Sequence, residues 1–139
     1  MRKFVASFPY WVPAVLWMGA IFFLSTLPES ETPGRFIISD KVAHATEYFI
    51  LAFLIFFALQ RTTRLGFFTS FGITLAWGAL YGYSDEFHQL FVPTRQYDLH
   101  DLAADVGGVV LLFLLLWALQ KWGKRGAEIY RLFAGKEKP

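Results

Sequence analysis

Two long stretches without charged side chains constrain this 139-residue chain more than any other feature. The first covers the 25 residues between Lys3 and Glu29, and the second covers the 20 residues from Leu65 to Ser84. A membrane-crossing helix needs about 20 predominantly apolar residues. Apolar residues make up 55% of the chain and charged residues only 17%, which is unlike a soluble domain. The sequence therefore predicts a polytopic membrane protein and excludes a disordered chain or a multidomain enzyme.

Two further apolar stretches are too short to cross a membrane unless they include charged residues. Tyr48–Gln60 has 13 residues and Val106–Gln120 has 15. At about 1.5 Å per residue, the shorter stretch reaches about 20 Å across a hydrocarbon core of about 30 Å. Both helices must therefore begin earlier, near Asp40 and Leu99. We predict an all-α, four-transmembrane-helix bundle in a single domain, 1–139. Its helices lie at about 9–27, 40–60, 65–91 and 99–121, and a short basic tail follows at 122–139.

Basic residues are unevenly divided between the two sides that four such helices define. Ten lie on the side of both termini and the 60–64 link, and three lie on the other side. Basic residues collect in cytoplasmic segments, so we predict that both termini are cytoplasmic. The start of the second helix, the end of the third and the start of the fourth then share the outward side. The basic tail, being partly amphipathic, lies on the membrane surface or is a frayed, solvated segment.

Polar residues gather on one face of each of these three helix ends. At about 100° per residue, the polar positions of the second helix fall within about 60°, and those of the fourth within about 80°. The stripes are Asp40, His44 and Glu47; Gly78, Tyr81, Gly82, Asp85, His88 and Gln89; and Asp98, Asp101, Asp105 and Gly108. Small residues in Gly78-x-x-x-Gly82 and Gly107-Gly108 let helices approach closely. We therefore predict that the stripes meet, with the first helix as an apolar cover.

Some of these residues also have simpler structural interpretations. Ser39 or Asp40 is a candidate N-cap for the second helix, and Asp98 is one for the fourth. His100 projects away from the acidic face of its helix and is left out of the site. Histidines and carboxylates offer ligands for a metal ion, but no local spacing such as H-E-x-x-H is present. No metal ligand and no cofactor is therefore assigned, and the small net charge of +2 argues against a nucleic-acid partner.

Three motifs resemble the VanZ-like family of membrane proteins. They are Asp40-Lys41-x-x-His44-x-x-x-Tyr48, Asp85-Glu86-x-His88-Gln89-x-Phe91-x-Pro93-x-Arg95, and Asp98-x-x-Asp101-x-x-x-Asp105-x-x-Gly108. Asp105 is a departure, because the family pattern usually carries an asparagine there. The resemblance implies a small multi-pass protein of the bacterial inner (plasma) membrane. The founding member of that family is associated with low-level resistance to the glycopeptide teicoplanin.

The resemblance and the polar stripes together suggest an envelope protein whose outward pocket binds or modifies a lipid-linked or phosphate-bearing molecule. In that interpretation the protein is a hydrolase or transferase at the outer leaflet. The candidate catalytic residues are His44, Glu86, His88 and Asp101. The candidate binding residues are Asp40, Lys41, Tyr48, Gln89, Arg95, Asp98 and Asp105.

Charged groups at membrane depth are costly unless they pair, so we expect His44, Glu86, Arg95 and Asp101 to meet in one pocket. Arg95 cannot neutralise itself by losing a proton and is the expected partner of Asp101 or Glu86. The alternative function is a non-catalytic membrane scaffold or interaction protein whose polar network is structural. The lipid bilayer is the expected surrounding in both cases, and either form is compatible with an oligomer.

Overall fold

A computed structural model describes residues 2–28 and 39–134 of the chain. Over these residues the chain forms five helices and no strand. The helices are α1 (Arg2–Ser25), α2 (Asp40–Thr62), α3 (Phe67–Gln89), α4 (Leu99–Lys121) and α5 (Gly123–Ala134). Residues 29–38 and the end of the predicted tail, 135–139, lie outside the described residues. α2 and α4 thus begin at the two residues that the membrane-thickness argument requires.

Side chains at the starts of α2 and α4 explain why the helices begin there. The Ser39 hydroxyl accepts a hydrogen bond from the backbone N–H of Val42, and the Asp98 carboxylate accepts one from that of His100 at 2.8 Å. Such N-caps satisfy backbone donors that have no partner within the helix. Both N-cap interpretations made from the sequence apply, with Ser39 rather than Asp40 serving α2.

Three of the long helices are long and apolar enough to cross a membrane. They are Ser7–Ser25 of α1 together with α2 and α4. Large apolar side chains on their outer faces are exposed, as expected where lipid is the solvent; examples are Leu16, Phe23, Leu111 and Leu114. α3 is not among these candidate spans, because glycine, hydroxyl, tyrosine and tryptophan residues replace aliphatic ones along much of its length. The all-helical fold is as predicted, and three of the four predicted spans are found.

α1 begins earlier than the predicted residue 9 and continues through Pro9 and Pro13. A proline removes one backbone hydrogen bond from a helix, but a break in a lipid-facing helix would expose more unpaired backbone groups. α1 packs on α2 and α3 and, within the described residues, makes no contact with α4. It therefore covers one side of the bundle and does not separate α2 from α4.

α2 is the central helix and contacts each of the other four. Its buried apolar residues pack mainly against α4, and together they form the core: Tyr48, Leu51, Ala52, Ile55, Phe56 and Leu59 with Val109, Leu112 and Leu116. α3 runs antiparallel to both helices along their length. At one end of the bundle, Gln60 near the end of α2 donates a hydrogen bond to Ser70 near the start of α3. At the other end, the Glu86 carboxylate near the end of α3 lies close to the start of α4.

Glycines set how closely these helices approach. A Cβ atom added at Gly108 would overlap the backbone carbonyl oxygen of Ala45, so α4 touches the backbone of α2 there. On α3, a Cβ at Gly82 would lie 2.7 Å from Asp105 Oδ2. A Cβ at neighbouring Gly107 would meet nothing within 4 Å. Gly108 and Gly82 thus allow the polar ends of the three helices to converge, which is the role that the sequence motifs suggest.

The first part of the predicted tail is a helix that packs on the bundle. Tyr130 of α5 is buried, its ring lies 5.8 Å from that of Phe67, and its hydroxyl donates to Gln60 Oε1 at 3.3 Å. Arg61 Nη2 donates to the carbonyl oxygen of Leu132 at 2.9 Å. The frayed-tail alternative is therefore wrong for residues 123–134, because these contacts order them. Contact of this helix with the membrane surface stays a prediction.

Candidate functional site

The starts of α2 and α4 and the end of α3 enclose a buried charged cluster, called here the inner cluster: His44, Asp85, Glu86 and Asp105. His44 Nδ1 lies 3.0 Å from Asp105 Oδ1, and both side chains are buried. Glu86 is also fully buried, and its Oε2 accepts a hydrogen bond from the backbone N–H of Asp98 at 2.9 Å. One potential ligand atom from each of His44, Glu86 and Asp105 lies within 4.8 Å of the others.

A second group, the outer cluster, lies closer to the end of the bundle: Lys41, Asp98, His100 and Asp101. Lys41 Nζ lies 3.0 Å from Asp98 Oδ2 and 2.6 Å from Asp101 Oδ1, so one cation joins α2 to the start of α4. His100 Nδ1 lies 2.8 Å from Asp98 Oδ1. The hydrogen bond from the His100 backbone N–H, together with Lys41 and the His100 ring, holds the pKa of Asp98 well below its usual range.

The partner of Asp101 differs from the expected one. Arg95 was expected to pair with Asp101 or Glu86, whereas the structure pairs Asp101 with Lys41. Arg95 Nε donates to the carbonyl oxygen of Leu27, two residues after the end of α1, at 3.2 Å. The reason is position: Lys41 lies on the first turn of α2 and faces the first turn of α4. Arg95 lies in the α3–α4 loop, within reach of α1.

Two cavities lie among these residues, one above the other. The outer cavity has a volume of about 420 Å³. Its lining consists of Asp40, Gln89, Thr94, Arg95, Gln96, Tyr97, Asp98 and Asp101. The inner cavity has about 30 Å³, enough for water, and is bordered by His44 and Asp85. Asp40, Gln89 and Arg95 line both cavities, so the outer cavity leads toward the inner cluster. The sequence predicted a single pocket, and the structure has two cavities at different depths.

The loop that borders the outer cavity holds one residue in a strained backbone conformation. Thr94 has φ of 69°, in the left-handed region that β-branched residues rarely adopt. It is the only non-glycine residue with positive φ among residues 2–28 and 39–134. Strain of this kind costs free energy and concentrates at ligand-binding sites. The neighbouring turn is closed by the bond from the Arg95 backbone N–H to the Val92 carbonyl oxygen at 3.1 Å.

Several buried oxygens of the site have no hydrogen-bond partner among the described residues. They are Asp85 Oδ1, Glu86 Oε1 and Asp105 Oδ2. Buried polar atoms in native proteins are nearly always hydrogen-bonded, and an unpaired buried charge is more costly still. The inner cluster therefore has binding capacity beyond the contacts that the protein itself makes.

The structure brings nine of the eleven predicted site residues to the two clusters or cavities. They are Asp40, Lys41, His44, Glu86, Gln89, Arg95, Asp98, Asp101 and Asp105. The other two lie elsewhere. The His88 ring packs 4.6 Å from the ring of Phe22 of α1, and Tyr48 is buried in the core one turn below His44. Neither of these two side chains lines the outer or the inner cavity.

Several residues at the site were not among the predicted site residues; they include Glu47, which borders the inner cavity, and Asp85, Ser25 and His100. Asp85 borders the inner cavity and accepts from Gln89 Nε2 at 3.4 Å. The sequence signal that could have identified Asp85 is its position on the α3 polar stripe, directly before Glu86. Ser25 of α1 also borders the inner cavity. His100 was excluded because its position projects away from the acidic face, yet its ring turns back to Asp98 at the helix start.

These features define a class: a helical protein with membrane-spanning segments that gathers carboxylates, a histidine and a lysine at one end of its bundle. The VanZ/LLP1 family model matches residues 8–120, which include most of α1, all of α2 and α3 and nearly all of α4. The chain therefore belongs to the VanZ/LLP1 family, and the resemblance seen in its motifs is confirmed. No curated protein and no solved structure matches the chain.

Proposed function

We propose that this VanZ/LLP1-family protein acts in the bacterial cell envelope and binds the phosphate-bearing head group of a lipid-linked molecule in its outer cavity. One observation carries the proposal: a polar cavity of about 420 Å³ lies at the end of a bundle of apolar helices. A molecule with a polar head and a lipid tail matches that arrangement, because its head reaches the cavity while its tail stays in the bilayer.

Basic side chains support the choice of a phosphate. Arg95 lines both cavities, and a guanidinium presents a planar set of N–H donors that matches a phosphate group. Lys41 offsets the charges of Asp98 and Asp101 at 3.0 and 2.6 Å. That pairing lowers the repulsion that an anion would otherwise meet at the mouth of the cavity. An apolar groove of about 490 Å³ between α1 and α3, lined by Ile73, Trp77 and Leu80 among others, offers a surface for the lipid tail.

The inner cluster supports a chemical step on the bound phosphoester. His44 is oriented by Asp105 at 3.0 Å, and Glu86 lies beside it. A histidine held by a carboxylate is a common proton acceptor, and it would take the proton of an attacking water or hydroxyl group. The proposed activity is therefore a hydrolase or transferase reaction at the outer leaflet. His44 takes the proton of the attacking group as its oxygen bonds to phosphorus, the P–O bond to the lipid alcohol breaks, and Glu86 in its acid form gives a proton to the leaving alcohol oxygen.

The site's position relative to the membrane rests on α3. We infer that α3 crosses the membrane as a fourth span, because it runs along the full length of α2 and exposes large apolar residues such as Phe68, Leu80 and Phe87. Four spans place both termini on one side. That side carries ten of the thirteen basic residues and is then cytoplasmic, so the outer cavity faces outward. A C-terminal reporter active only outside the cytoplasm should be silent, and a strong signal would reverse the orientation.

The alternative is a scaffold whose ion pairs only hold the bundle together. Lys41 favours it, because this side chain bridges α2 and α4 without any ligand. The two functions differ in what they require of Arg95. A scaffold needs no phosphate, whereas the proposed binding site depends on the planar guanidinium.

Binding of a polyprenyl phosphate to the full chain in lipid nanodiscs tests the proposal. The corresponding polyprenol, which lacks the phosphate, serves as the control ligand. We expect the wild-type protein to prefer the phosphate, and Arg95→Lys to weaken its binding by about tenfold, about 1.4 kcal/mol. Arg64→Lys is the matched control, because Arg64 is an exposed arginine at the opposite end of the bundle.

Equal binding of the phosphate and the alcohol, or equal behaviour of the two lysine variants, would favour the scaffold.

For the chemical step, phosphate release should stop in His44→Gln while binding persists. The resistance associated with the VanZ-like family gives a cellular readout: cells expressing the wild-type chain should tolerate teicoplanin better than cells expressing Arg95→Lys at equal protein level.

A further inference from the structure

We infer that the inner cluster is a binding site for one divalent metal cation, Zn²⁺ or Mn²⁺, held by His44, Glu86 and Asp105. Head-group binding in the outer cavity does not enter this inference, which is tested without any lipid. In a protein with the cation bound, His44 and Glu86 would act as its ligands and not as the proton-transfer groups of the proposed chemical step. The three ligands come from α2, α3 and α4. No local sequence spacing signals them, since each lies on a different helix.

The geometry of the three side chains suits a single cation. One potential ligand atom from each lies within 4.8 Å of the others. Two ligands bound to one cation at about 2.1 Å and at a right angle to each other are separated by about 3.0 Å. His44 Nδ1 and Asp105 Oδ1 are separated by 3.0 Å. This pair can therefore serve as neighbouring ligands with little rearrangement.

The unpartnered oxygens provide independent support. Glu86 Oε1 and Asp105 Oδ2 are buried on side chains with no exposed surface, and neither has a hydrogen-bond partner among the described residues. Both belong to the three-residue set, and Gly82 lies directly beside the Asp105 carboxylate. A cation at this point would supply the missing interactions and offset two buried negative charges.

A second set of ligands is geometrically available but is less suitable. It consists of Asp40, His44 and Asp101. Asp101 Oδ1 already pairs with Lys41 Nζ at 2.6 Å, and Asp40 is exposed, so a cation there would displace an ion pair and compete with water. In the inner set no lysine or arginine among the described residues pairs with the carboxylates, and a cation would replace only the contact that His44 and Asp105 make with each other at 3.0 Å. One imidazole with two carboxylates suits Zn²⁺ and Mn²⁺ better than Ca²⁺, which prefers oxygen ligands only.

Metal titration of the full chain tests the inference. The protein is purified in detergent, stripped with a chelator, and dialysed against Zn²⁺ or Mn²⁺ alone. Bound metal is then measured by elemental analysis and, for Mn²⁺, by loss of the free-ion paramagnetic resonance signal. We expect one bound equivalent, and a loss of affinity of about tenfold or more in Glu86→Gln and Asp105→Asn. Both substitutions keep the side-chain volume.

Two control variants separate this site from its neighbours. Asp85→Asn removes a buried carboxylate that belongs to neither ligand set, and Asp101→Asn removes one from the outer set. Both should retain the wild-type affinity. The inference is overturned if the wild-type chain binds neither metal above the detergent blank, a result that needs no variant to fold. It is also overturned if Asp85→Asn loses the metal equally, or if Asp101→Asn alone loses it.

Discussion

The bundle buries polar side chains at both of its ends, and the two ends differ in charge and in hydrogen bonding. At the end of α2, Gln60 Nε2 donates to Ser70 Oγ at 2.6 Å and Tyr130 Oη donates to Gln60 Oε1 at 3.3 Å. This neutral chain joins α2, α3 and α5. At the start of α2, the inner cluster holds three carboxylates and one histidine, and several of its oxygens lack partners among the described residues.

The two ends therefore differ in their effect on stability: the neutral polar groups support the fold, whereas the buried charged groups cost free energy. A neutral network with its hydrogen bonds made adds rigidity at low cost. A buried cluster of charged groups is often no more stable than an uncharged replacement, because the cost of desolvation exceeds the attraction within its ion pairs. We therefore propose that the neutral end is structural and that the charged end is retained for binding. Four predictions test this contrast, from the largest expected effect to the smallest.

The largest effect is expected where the backbones of α2 and α4 touch beside the charged end. In Gly108→Ala the new methyl group would overlap the Ala45 carbonyl oxygen, so the helices must separate. We expect a loss of about 3 kcal/mol in the free energy of unfolding, measured by circular dichroism in detergent. Gly107→Ala is the control, because its methyl group would meet nothing, and it should not destabilise the protein. Equal behaviour of the two would contradict the close contact.

At the neutral end, Gln60→Leu should destabilise the protein without affecting ligand binding. The substitution leaves the buried Ser70 and Tyr130 hydroxyl groups without their partner, at a cost of about 2 kcal/mol. Thermal unfolding and the polyprenyl phosphate assay are measured on the same sample. Ser70→Ala in the Gln60→Leu background should then cost little more, because one partnerless group is removed. A loss of binding at unchanged stability would mean that the neutral end is also functional.

At the charged end, Glu86→Gln should have the opposite effect. Glutamine keeps an acceptor for the Asp98 backbone N–H and removes one buried negative charge. We expect the free energy of unfolding in the absence of added metal to rise by about 1 kcal/mol, while binding at the site is lost. Chemical denaturation of chelator-treated protein measures the change. A marked destabilisation would show that the charged end supports the fold as the neutral end does.

The smallest effect concerns Asp98, a half-buried member of the outer cluster. Its pKa lies below the usual value, mainly because of the hydrogen bond from the His100 backbone N–H and the contact with Lys41. The ionised form thus contributes stability above the unfolded-state pKa of about 3.9, and this contribution is lost as the pH falls through the folded-state pKa. Lowering the pH from about 7 to about 3 should therefore reduce the melting temperature more in the wild-type protein than in Asp98→Asn. Asparagine keeps the N-cap acceptor but not the charge, so an identical pH dependence would exclude this contribution.

The sequence by itself determined the helical class, the family and the end of the bundle at which the polar residues collect. These properties follow from quantities that act along one chain. Comparing the length of each uncharged stretch with the membrane thickness predicted that α2 and α4 begin near Asp40 and Leu99. Helical periodicity placed His44 and Asp105 on polar faces. Neither argument depends on which helices pack against each other.

Only the tertiary structure decided which groups face one another. Lys41, not Arg95, reaches Asp101, and His88 turns to Phe22 on α1 instead of to the inner cluster. Periodicity defines a stripe on a helix, but the rotation of that helix against its neighbours is set by packing. Here the contact of Gly108 with the Ala45 backbone fixes that rotation. The same physical reason explains why the metal-ligand set, with one residue from each of three helices, has no signature in the sequence.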